Sequence, residues 1–97
     1  MNETDRTQTA SLKIGDVARL TALSIHTLRK WESRYRAVVP IRTERGQRRY
    51  TRGDVERLLL IKRMVDAGVA PRIAAPLPLA DLSRNSKKYR GFRAGGG

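Results

Sequence analysis

The sequence predicts one small, mainly α-helical domain with a β-hairpin, and three observations predict it. Two short apolar-periodic segments meet at a three-residue break, an arginine-dense segment built around one glycine follows, and a longer apolar-periodic segment ends at Gly68. At 97 residues the chain has room for a single core, and below about 70–80 ordered residues such a core is only marginally stable. The 21 Lys and Arg against 9 Asp and Glu give a formal charge of +12. That exceeds what solubility asks of a small domain and implies a polyanionic partner.

Met1 to Ser11 are polar and aperiodic, and residues 1–11 are expected to form a disordered leader. Ile14, Val17, Ala18 and Leu20 then recur at helical spacing, with Asp16 where the helix dipole favours an anion. Thr21, Ala22 and Leu23 interrupt the pattern, and Ser24 is placed to cap a second helix over Ile25–Tyr35. Val38, Val39 and Ile41 are β-formers, Pro40 suits only an edge and Gly46 suits a turn, which predicts a hairpin over Val39–Tyr50. Thr51 and Asp54 form a near capping box ahead of a third helix, Arg52–Ala67, which Gly68 closes. Pro71 opens a short fourth helix, Ala70–Ala75, before Pro76 and Pro78 stop it. The domain is therefore expected over 12–75, and 76–97 as a basic, disordered tail.

Several function classes drop out. Zero cysteines exclude disulfides and thiolate chemistry. His26 is the single histidine, so no metal site is assigned, and no cofactor or catalytic motif appears. No apolar run of about 18 residues and no leader signal indicate a membrane or secretory route. No helix is basic on one face and bulky-apolar on the other, so a membrane surface is a poor partner. Nucleic acid is the polyanion that remains, and the cytoplasm, at the nucleoid, is the expected location.

Two short helices joined by a capped turn, the second bearing outward cations, form a helix-turn-helix pattern. On the second helix Thr27, Lys30 and Arg34 share one face while Leu28 and Tyr35 share another. Its first two turns carry His26, Thr27, Arg29 and Lys30, the candidates for reading base edges. From Arg42 to Arg52 the run R-T-E-R-G-Q-R-R-Y-T-R places five arginines around one glycine. That density is self-repelling unless an anion neutralises it, and the planar guanidinium suits phosphate or a narrow minor groove. Trp31 reads as core, and Tyr50 stands open between core and contact.

The strings I-G-D-V-A-R-L-T from Ile14, S-I-H-T-L-R-K-W-E-S-R-Y from Ser24 and R-T-E-R-G-Q-R-R-Y-T from Arg42 closely resemble the DNA-binding domain of MerR-family regulators. The wording is most similar to the subgroup in which this domain precedes a cobalamin-binding sensor. The resemblance implies a MerR-like winged helix-turn-helix and sequence-specific, repressor-type regulation of transcription. By that pattern Thr27, Arg29 and Lys30 would meet bases and phosphates from the recognition helix and Arg34 and Tyr35 the backbone, and Ser24 and His26 join them as candidates from their place at the head of that helix. Arg42, Arg48, Arg49 and Tyr50 would act from the wing, where Thr43, Arg45 and Gln47 are further candidates by position.

Two departures bear on the transfer. Ala22 and Leu23 stand where the family uses a glycine and a smaller residue, and Pro76 cuts the stretch that continues into the family's dimerisation helix or sensor. No sensor is expected in this chain, and a homodimer on DNA is expected only without the family's usual pairing segment. Two alternatives stay open: an excisionase-like architectural protein that bends DNA, and an RNA or nucleoid binder that uses charge alone.

Overall fold

The computed structural model describes residues 11–84. The expected leader, apart from Ser11, and the part of the expected tail beyond residue 84 lie outside the described residues. The chain runs α1 (Ile14–Thr21), α2 (Ile25–Tyr35), β1 (Ile41–Arg42), β2 (Arg48–Arg49), α3 (Arg52–Asp66) and α4 (Pro71–Ala74). It is mostly helical with a two-stranded antiparallel sheet in which Ile41 pairs with Arg49 and Arg42 with Arg48. The predicted fold class is the one observed.

Each helix boundary has a local cause. At α1 the Lys13 backbone N–H donates to Asp16 Oδ2 at 3.0 Å, satisfying an amide that the first turn would leave orphaned. Thr21, read from sequence as part of the break, instead completes α1. Its buried hydroxyl donates to the Val17 carbonyl at 2.8 Å and accepts the Leu23 N–H at 3.3 Å. The chain turns at Ala22, which sits at φ +60°, a left-handed conformation that glycine adopts more cheaply. Ser24 then caps α2, whose bounds match those the sequence predicts. At α3 the capping box is complete, with Asp54 N–H to Thr51 Oγ1 at 3.0 Å and Thr51 N–H to Asp54 Oδ2 at 2.9 Å. Its end is a Schellman motif: Gly68 at φ +105° donates to Val65 O, and Val69 donates to Met64 O.

The hairpin is shorter than Val39–Tyr50. Val38 is buried in the core, Val39 is exposed, and the paired strands are two residues each. Thr43 N–H donates to Gln47 O and Gly46 N–H donates to Thr43 O, both at 2.8 Å. Glu44 to Gly46 therefore form the tip, with Gly46 at φ +81°. Tyr50 leaves the hairpin and bridges to Leu12, exchanging two backbone hydrogen bonds of 2.8 and 3.1 Å. The segment before α1 is thereby stitched beside the wing.

The core gathers Val17 of α1, Leu28 and Trp31 of α2, Tyr50, and Leu58, Ile61 and Met64 of α3. It also takes in Ala75 and Leu82, both fully buried, with Leu77 packed against them. Structure thus continues past residue 75, where the sequence places the end of the domain. Residues 79–84 are helical, opening where Leu82 N–H reaches the Pro78 carbonyl at 2.9 Å. Pro78 stops α4 from continuing and at the same time permits a new helix to begin after it. Arg57 of α3 ties these parts together, donating to Ala37 O at 2.6 Å and to Ala75 O. Both carbonyls lie at chain reversals where no helix or strand partner exists.

Candidate nucleic-acid interface

On α2 the buried face carries Leu28 and Trp31, so helical geometry turns His26, Arg29, Lys30 and Arg34 outward. These four, with Ser33, line one shallow depression. Trp31 is core, as its spacing suggests, and Tyr35 is half-buried against the same core. Ser24 and Thr27 hold each other at the head of the helix. Ser24 Oγ accepts the Thr27 N–H at 3.0 Å and donates to Thr27 Oγ1 at 2.9 Å. Their hydroxyls are first of all a cap, with acceptor capacity left over for an outside donor.

The wing arms the adjacent surface. Arg42, Arg45 and Gln47 are exposed, while Thr43, Arg48 and Arg49 are half-buried. Thr43 Oγ1 accepts the Gln47 N–H at 3.1 Å, and Arg42 donates to the Gly46 carbonyl at 2.9 Å. Both brace the turn. Arg49 donates to Gln47 Oε1 and to the Arg48 carbonyl, each at 2.9 Å, which fixes the direction of its guanidinium along β2.

The two halves meet in a cleft lined by Arg29 of α2, by Gln47, Arg48 and Arg49 of the wing, and by Lys13 and Ile14 at the start of α1. One basic surface therefore spans helix and hairpin. Lys13 is a lining residue that sequence reasoning missed, because nothing local shows that the α1 start folds against β2.

Tyr50 requires a correction. Expected among the wing contacts, Tyr50 is only 2% exposed and cannot present a ring or hydroxyl to an outside ligand. Its hydroxyl donates to Glu32 Oε2 at 2.7 Å. Burial first, then the Glu32 carboxylate, pushes the phenol well above its ordinary value, so it stays a neutral donor. The other Glu32 oxygen faces Arg48 Nε at 3.3 Å, within ion-pair range though off the line of a hydrogen bond. Glu32 joins α2 to β2, and it too went unassigned from sequence. The available signal was an acid inside a basic helix, next to a core tryptophan.

Among the described residues no group of three or more His, Asp or Glu is placed to hold a metal ion. No described helix is long and apolar enough to cross a membrane.

Residues 12–74 match the family profile described as MerR HTH family regulatory protein. The chain is 36% identical over 77 residues to the HTH-type transcriptional regulator MlrA of Salmonella typhimurium, covering 79% of this chain and 32% of that protein. It is 42% identical over 65 residues to the HTH-type transcriptional repressor CarH of Myxococcus xanthus, covering 67% and 22%. With the HTH-type transcriptional regulator CueR of Vibrio cholerae it shares 36% identity over 81 residues, covering 81% and 58%. The chain thus spans about a third or less of the MlrA and CarH relatives.

Proposed function

The chain belongs to the MerR family of helix-turn-helix regulatory proteins, and from that premise we propose that it binds double-stranded DNA sequence-specifically as a transcriptional repressor. The observation that carries the reading is the continuous basic surface on which Arg29 of α2 and the wing residues Arg48 and Arg49 meet. In this reading α2 lies in the major groove, with His26, Thr27, Arg29 and Lys30 toward base edges and Arg34 and Tyr35 toward phosphate. Arg42, Arg45, Gln47, Arg48 and Arg49 hold the flanking backbone or minor groove, and Tyr50 supports them from within. Repression is favoured by the likeness to a protein named as a repressor. Two copies on an inverted repeat, spaced by about one helical turn, complete the proposal. Its place of action is the DNA of the cytoplasm.

The test is selection of bound duplexes from a random library, then anisotropy titration of the winner against scrambled DNA at 50 and 200 mM salt. The reading expects a preference above about tenfold and, with roughly six to ten phosphate contacts, a loss of about 10³ to 10⁵ in affinity across that salt range. Binding with no sequence preference would leave a charge-driven DNA coat. A selected site without two-fold symmetry would remove the paired arrangement alone.

A further inference from the structure

A carboxylate on the DNA-facing helix of a basic protein works against a polyanion, and Glu32 sits there. It is nevertheless held, with its side chain 10% exposed and its two oxygens divided between two residues of the hairpin side. Oε2 takes the Tyr50 hydroxyl at 2.7 Å, and Oε1 faces Arg48 Nε at 3.3 Å. Tyr50 is itself fixed to Leu12 by a pair of backbone hydrogen bonds, so it cannot follow a moving wing. Arg48 remains 38% exposed and lines the cleft it shares with Arg29. We propose that Glu32 is a positioning residue: it locks the wing to α2 and aims Arg48 into that cleft, so that the protein reads the spacing between a major-groove contact and a wing contact. This rests on the DNA-binding reading above.

Charge alone and positioning predict opposite signs for Glu32→Gln. Removing one negative charge and releasing one arginine should tighten binding and steepen its salt dependence if Glu32 merely neutralises Arg48. Positioning predicts the reverse: Glu32→Gln weakens binding to the selected duplex about tenfold and lowers the salt slope by about one contact. On an Arg48→Ala background the same change should then cost less than about twofold, since the two residues act as one unit.

Anisotropy titrations of the intact chain and these variants give those numbers. Tyr50→Phe keeps the ring in the core and removes only the hydroxyl. Amide exchange in the free protein should therefore quicken over the wing, residues 41–49, while α1 and α3 amides keep their protection. Equal or tighter binding by Glu32→Gln overturns the proposal, as does unchanged wing exchange in Tyr50→Phe. If the wild-type chain prefers no duplex, the sequence-specific reading fails, and the exchange measurement still decides whether the Tyr50–Glu32 contact holds the wing.

Discussion

Tyr50 and Ala22 show what single positions contribute here. Whether Tyr50 packs or contacts depends on which way its side chain turns as the chain leaves β2, and that is set by the pairing of Tyr50 with Leu12 across the chain, which no local pattern displays. Because burial and the Glu32 carboxylate raise its folded-state titration above the ordinary phenol value of 10.0, its stabilisation is fully present below that pH. It is lost progressively as the pH climbs from there toward the raised value. Thermal midpoints measured from about pH 8 to 11.5 should fall more steeply for the wild type than for Tyr50→Phe; parallel curves would contradict the assignment. At Ala22 the sequence shows only a departure from the family's glycine. The structure gives it a consequence, since a Cβ is held at φ +60° on an exposed cap. Ala22→Gly should raise stability by about 0.5–1 kcal/mol in denaturant titration, and a loss of stability would show that the left-handed turn carries no strain.

Elements were legible in proportion to how local their determinants are. The bounds of α2 follow from Ser24, the apolar spacing and the outward cations, and α3 follows from its capping box and Gly68. The hairpin is shorter than its composition predicts because β-propensity at Val38 and Val39 says nothing of which one the core will claim. The helical turn at residues 79–84 went unread because Pro76 and Pro78 look like an end, while Leu77 and Leu82 are too sparse to show periodicity until α3 and α4 supply a surface for them. Arg57 joins these elements through the Ala37 and Ala75 carbonyls, and burial pulls its guanidinium below the usual arginine value. Arg57→Met keeps the stem and removes both donors, leaving two chain-reversal carbonyls unpaired. It should cost about 2 kcal/mol, read as a lowered denaturant midpoint with an unchanged slope. A cost near zero would mean that solvent replaces the guanidinium.

For the whole molecule, the family and the general DNA-binding role are legible because the motif order is specific and the charge excess is large. How helix and wing are held to one another is not legible, because it depends on the Tyr50 hydroxyl meeting Glu32 and on Lys13 lining a cleft with the β2 arginines, both across the fold. In the proposed binding mode α2 reads sequence while the wing grips backbone. The most direct measurement compares Arg29→Ala with Arg49→Ala, each titrated against the selected duplex and a panel of single-base variants at two salt concentrations. Arg29→Ala should flatten the preference at one base pair by about 1–3 kcal/mol. Arg49→Ala should weaken every duplex alike and lower the salt slope by about one contact. Equal, uniform losses from both substitutions would contradict the division between reading and gripping.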